Sequence, residues 1–170
     1  MAPEPAPAEI TQERLRLALS RMPTAVTVVT ALTAEGPAGL SANAVTSLSL
    51  EPPLMLACLD RGSRTLRAVE EAGRFGINVL GAEAEELVHG FARKVPVSHK
   101  WTGVDWEADA GIPRLGGAIV FVACELRDVL SGGDHVIVTG EVTGVDEREG
   151  DPLLFWGGGY RALERPPESP

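Results

Sequence analysis

Between residues 9 and 22, apolar side chains at Ile10, Leu15, Leu17, Ala18, Leu19 and Met22 recur close to helical spacing. Pro23, which lacks a backbone N–H, ends the pattern. One amphipathic helix is therefore predicted to open the domain. The period then shortens. MPTAVTVVTAL, the polar segment 40–50 and PPLMLACL are rich in β-branched and aliphatic residues and bounded by glycine or proline, which predicts three strands. SRTLRAVEEAG predicts a short helix, because the Ser63 oxygen can cap free N–H groups, Leu66 and Val69 share a face, and Gly73 suits a left-handed exit. FGINVL predicts a strand and AEAEELVHGFARK another short helix. Residues 95–113 read as a long irregular connection carrying Trp101 and Trp106, before strands return at AIVFVACELRDVL, HVIVTGEVTGVDE and PLLFWGG.

Many strands with few, short helices predict a mainly β protein built as an antiparallel barrel, since the long helices that join parallel strands are missing. The 170 residues, 44% hydrophobic, suit one globular domain. We place that domain at residues 9–164, with the proline-rich tails 1–8 and 165–170 expected to be disordered. The longest wholly apolar run, residues 118–124, is far short of the roughly 20 residues that span a bilayer as a helix. The first nine residues carry three prolines and two acids where a secretory signal has a basic start and an apolar stretch, so the expected location is cytoplasmic.

Charge and chemistry narrow the picture. A net charge of −9 argues against a nucleic-acid partner, because phosphate backbones are bound by neutralising cations. Any bound phosphate must be gripped locally, with Arg64, Arg93 and Lys94 among few candidates. Cys58 and Cys124 sit in apolar runs and read as buried thiols. His89 and His99 have no metal-ligand spacing, so no metal site is expected. No GxGxxG follows a strand and opens a helix, so any nicotinamide cofactor must be held without the Rossmann fold.

Two segments carry candidate chemistry. GGDH, residues 132–135, predicts a tight turn that delivers Asp134 and His135 to the mouth of the strand VIVTGEV. His135 can be a core histidine satisfied by Asp134 or a carbonyl, or a ligand-facing donor. Ser41, Asn43, Thr46, Ser47 and Ser49 put small polar groups through a β-like stretch, where they either line a polar ligand or occupy the solvent face of an edge strand. Ser63 and Arg64 at a helix N-terminus suit a phosphate, or a plain cap. Arg93 and Lys94 at a helix C-terminus suit the dipole.

Read in order, TAVTVVT from Thr24, NAVTSLSLEPPLMLACLDRGSRT from Asn43, FGINVL, GVDW, GGDH and PLLFWGGGY resemble the flavin reductase family. Those proteins are small reductase components of two-component flavin-dependent monooxygenases with an FMN-binding split-barrel fold. The resemblance covers residues 15–163. It implies a homodimer that passes a hydride from NADH or NADPH to FMN or FAD, with reduced flavin leaving for a separate monooxygenase. By match of motif, the flavin lies along Thr24, Ala25 and Val26 on one side and Asn43, Ala44, Val45, Thr46 and Ser47 on the other. Ser63, Arg64 and Lys94 take its phosphate. His135, as the catalytic candidate, and Tyr160 face the nicotinamide nucleotide. The family often has serine where this chain has Ala44, which leaves a backbone bond at most. The alternative is a non-enzymatic flavin-binding dimeric module on the same barrel, and the GGDH turn favours the enzyme.

Overall fold

The computed structural model describes residues 10–92 and 97–163. Helix α1 (Gln12–Leu19) precedes β1 (Thr24–Ala25), β2 (Thr27–Thr33), β3 (Gly36–Ala42), β4 (Val45–Leu50) and β5 (Pro53–Asp60). Next come α2 (Arg64–Ala72), β6 (Arg74–Leu80), a 3-10 turn at Ala82–Ala84 and α3 (Glu85–Ala92). The second half holds α4 (Val97–Lys100), β7 (Trp106–Asp109), β8 (Ile112–Leu115), β9 (Ala118–Gly132), β10 (His135–Glu147), β11 (Leu154–Trp156) and β12 (Gly159–Arg161). All strand pairings among the described residues are antiparallel, as expected.

Seven strands form one sheet in the order β3-β2-β6-β9-β10-β5-β4. Its two edge strands, β3 and β4, are consecutive in the chain and joined only by Asn43 and Ala44. The sheet must therefore curl until its edges approach, which makes a barrel split along one seam. Register shifts at Thr139/Gly140 and Val142/Gly144 in the long β9–β10 pair supply bending and extra twist. A smaller sheet, β1-β11-β12, and the β7–β8 hairpin complete the fold.

Successive residues of β2 face opposite sides, so the continuous buried run TVVTA is shared between two cores. Val29 and Ala31 pack with Phe75, Ile77 and Val138 inside the barrel. Val26 and Val28 pack with Val88, Phe91, Trp101 and Leu115 under α3. Gly39 lets that second layer come close, since a Cβ there would lie 2.7 Å from Phe91 Cε1. α2 forms as predicted. The Ser63 hydroxyl accepts the Leu66 N–H at 3.0 Å and Gly73 exits at φ 64°. Its buried Leu66 and Val69 contribute about 1.5–3 kcal/mol each.

Three expectations are corrected. Segment 40–50 is not one strand, because Asn43 and Ala44 break it into the end of β3 and the whole of β4. Residues 95–113 are not irregular throughout, since they include α4, β7 and the start of β8. That hairpin turns at Ala110 and Gly111, both left-handed, and is pinned from a distance. Buried Asn78 accepts the Leu115 N–H at 2.8 Å and donates to the Thr30 hydroxyl, which donates to the Pro113 carbonyl at 2.6 Å. Nothing in the hairpin's own pattern announces those partners. The third correction concerns α1, which is shorter than the pattern implied and buries none of its residues. It is tied at its end, where the Ser20 carbonyl accepts the Gly157 N–H and the Arg21 carbonyl accepts Trp156 Nε1–H. Among the described residues no helix is long and apolar enough to cross a membrane.

Candidate functional site

At the seam of the barrel lies a groove of about 410 Å³ whose walls include Ser41, Asn43, Ala44, Cys58, His135 and Tyr160. Strand register explains the gathering. Ala44 is fixed by its carbonyl, which accepts the Cys58 N–H at 2.8 Å. Cys58 and Asp60 lie on β5 opposite Ile137 and His135 of β10, so the β3–β4 junction and the β10 mouth face a common space.

The turn that presents His135 is as tight as GGDH predicts. His135 pairs with Gly132, and only Gly133 and Asp134 lie between them. Gly133 has φ 80°, a conformation that favours glycine. His135 Nδ1 lies 2.8 Å from Asp134 Oδ1, and the imidazole is 47% exposed. It is therefore not a core histidine. The hydrogen bond from His135, and then its charge, hold the Asp134 carboxyl below its usual range. An ionised Asp134 accepts a hydrogen bond from Nδ1–H, which leaves Nε2 as the ring's remaining polar atom.

Tyr160 enters from β12. Its ring meets Phe155 of β11 edge-on at 5.7 Å and His89 of α3 at 5.1 Å. Burial, and then the charge of Glu85, push its hydroxyl above the ordinary value, so it stays a neutral donor near neutral pH. Behind this wall, Thr24 pairs with Phe155 and Ala25 with Leu154. The Thr24 hydroxyl is buried without a hydrogen-bond partner among the described residues. Val26 belongs to the core under α3, and its N–H goes to the Leu153 carbonyl.

The remaining sequence candidates spread out. Thr46 and Ser47 are exposed on edge strand β4, where the Thr46 hydroxyl donates to the Ser47 carbonyl, and Val45 is half-buried opposite Ala57. None of the three lines the groove. Ser63 is occupied as the α2 cap. Arg64 opens onto a separate cleft with Glu35, Arg67 and Glu71. Lys94 and Arg93 lie outside the described residues, although Ala92 just before them lines the groove. Cys58, read from sequence as a buried thiol, is half-buried on the groove wall, whereas Cys124 is buried and burial pushes its thiol up to about 12. Sequence reasoning also missed Asp60 and Phe155, whose places follow from strand register alone. A larger cavity of about 830 Å³ lies elsewhere, where Gly81 and Gly117 meet the loop at Gly150.

A mostly β, antiparallel split barrel with a polar seam and a histidine at a strand mouth defines a class whose members can be compared directly. Residues 19–164 match the family described as flavin reductase like domain, and the chain belongs to that family. It is 38% identical over 157 residues to the reductase subunit HsaB of a flavin-dependent monooxygenase from Rhodococcus jostii, covering 91% of this chain and 80% of that one. It is 40% identical over 148 residues to a probable flavin reductase from Rhizobium meliloti, covering 86% of this chain but 47% of that relative, so it spans about half of the latter's length. Among solved structures, the NADH:FAD oxidoreductase SgcE6 of Streptomyces globisporus, in complex with NAD and FAD fragments, superposes with a TM-score of 0.85 at 31% identity, covering 96% of this chain and all of that one.

Proposed function

We propose that the protein is an NADH-dependent flavin reductase that reduces FMN or FAD and supplies reduced flavin to a separate monooxygenase. The observation that carries the reading is the groove that gathers the Asn43–Ala44 junction, His135 and Tyr160. Its residues suit flat nucleotide rings. The walls offer aromatic surface at Phe155 and Tyr160, small side chains at Ala42 and Ala44, and amide and hydroxyl groups at Asn43 and Ser41. Behind the wall, the buried Thr24 hydroxyl has no hydrogen-bond partner among the described residues, and leaving such a group unmet costs about 1–3 kcal/mol.

Flavin and nicotinamide supply the hydride transfer between them. The chain's tasks are to hold, orient and exclude water. Asn43 and the backbone at Ala44 meet the flavin along the seam, with Thr24 behind it and Ala25, Val26, Val45, Thr46 and Ser47 as the neighbouring strand positions. Ser63, Arg64 and Lys94 serve its phosphate. His135 Nε2 and the Tyr160 hydroxyl hold the nicotinamide side. Asp134 fixes the imidazole tautomer. NADPH is an alternative donor.

The active form is a homodimer in the cytoplasm. Support for the dimer comes from apolar side chains left open on one chain: Ile10, Leu17 and Met22 around α1, and Leu50 on edge strand β4, which is 92% exposed. Light scattering should return twice the 17.9 kDa chain mass, and a single-chain mass would reject the dimer. The function is tested by following absorbance at 340 nm with FMN or FAD against NADH or NADPH. Oxidation that needs both protein and flavin supports it, and no nicotinamide oxidation in any combination leaves the passive flavin-binding module.

A further inference from the structure

We infer that Arg61 is a positioning residue for the Asp134–His135 pair, clamping the β9–β10 turn from the opposite strand; the inference rests on the function proposed above. Arg61 follows the last residue of β5 and reaches across to the turn with the Nε and Nη2 side of its guanidinium. Its Nε and Nη2 donate to the Gly133 carbonyl at 3.3 and 2.9 Å, and Nη2 also donates to the Ser131 hydroxyl at 2.9 Å. Its backbone N–H donates to the Asp134 carbonyl at 3.2 Å. One residue thus holds the turn residues on both sides of the Gly133–Asp134 peptide bond.

The turn needs such a clamp. Gly132 and Gly133 carry no side chain to restrict their backbones, and a glycine pair one residue before the functional histidine leaves its direction loosely determined. Arg61 itself stands on a firm base. The Asp60 carboxylate accepts the Gly62 N–H at 2.7 Å and the Asp60 carbonyl accepts the Ser63 N–H at 2.9 Å, a turn that runs straight into the capped start of α2. A planar guanidinium that spans two acceptors fixes direction as well as distance, which a lysine ammonium does not. All of these groups are exposed, so their bonds contribute little to global stability. Their consequence is local order where His135 points.

The test compares wild type with Arg61→Met, Arg61→Lys and Ser131→Ala. Two readouts are needed: amide and imidazole NMR signals of the turn, and steady-state NADH oxidation. In Arg61→Met, the signals of Gly133, Asp134 and His135 should shift and broaden while those of α2 stay in place. The KM for NADH should rise about three- to tenfold, as expected if a misdirected His135 loses one hydrogen bond to the nucleotide, with the flavin KM within about twofold. Arg61→Lys should recover part of this, and Ser131→Ala should lose less. Unmoved turn signals overturn the inference, and so do moved signals with an unchanged KM for NADH. If wild type oxidises no NADH, the proposed function fails by itself, and the turn signals still decide whether Arg61 orders the pair.

Discussion

Two hollows among the described residues differ in what lines them, and the proposed function places the chemistry in the smaller. The larger cavity, about 830 Å³, is walled by glycine backbone and by the carboxylates Glu83, Glu86, Asp105, Glu149 and Asp151, with Lys100 and Arg148 as its cations; among the described residues its ring is the His99 imidazole, and no Phe, Tyr or Trp lines it. The seam groove, about half that volume at 410 Å³, has Phe155, Tyr160 and His135 in its walls and Asp60 as its carboxylate. An anionic nucleotide with flat rings is repelled by a crowd of carboxylates and gains from stacking and a neutral donor. Lining chemistry, rather than volume, separates the two.

That contrast can be broken from either side. The largest effect should come from Ala44→Trp, which sets a bulky ring on an exposed groove wall and leaves the core alone. NADH oxidation should fall on the order of a hundredfold or more, since each 1.4 kcal/mol of lost binding is about tenfold, while circular dichroism stays that of wild type. Retained activity would move the reaction out of the groove. His135→Ala should lower kcat/KM for NADH by about ten- to a hundredfold without a change in Tm, because the ring is exposed and its bond to Asp134 lies at the surface. A Tm drop that accounts for the loss would return His135 to a structural role.

A smaller effect concerns the thiols. Alkylation at pH 8 should label Cys58 in the native protein and spare Cys124, whose thiol stays protonated far above that pH and is sealed in the core. Nucleotide in the groove should slow the Cys58 reaction. Equal labelling of both, or no protection, would contradict the place given to Cys58. The smallest expected change is in the other cavity, where Glu149→Gln should leave NADH kinetics within about twofold, as ordinary surface substitutions do. A larger shift would bring that cavity into the reaction.

What the chain's pattern disclosed was local. The α2 cap at Ser63, its left-handed exit at Gly73 and the GGDH turn each depend on residues within a few positions of one another. The segment order also carried the family and the split barrel. What stayed hidden depends on pieces far apart. Asn43 reaches the groove while Thr46 and Ser47 do not, because the curl of the sheet and the pairing of β4 with β5 decide which polar residue shares the groove with His135. Arg64 follows Ser63 in sequence yet opens onto another cleft, since α2 turns away from the seam. α1 shows a periodic apolar pattern, yet none of its residues is buried among the described residues. The β7–β8 hairpin is held by Asn78, a buried amide whose acceptor and donor partners come from other strands.

The most direct trial is a crystal structure of the protein soaked with FAD and NAD. The two ring systems should lie in the seam groove, one along Asn43 and Ala44 and the other against His135 and Tyr160. Rings bound instead in the glycine-walled cavity beside Glu149, with the seam closed by its own side chains, would contradict it.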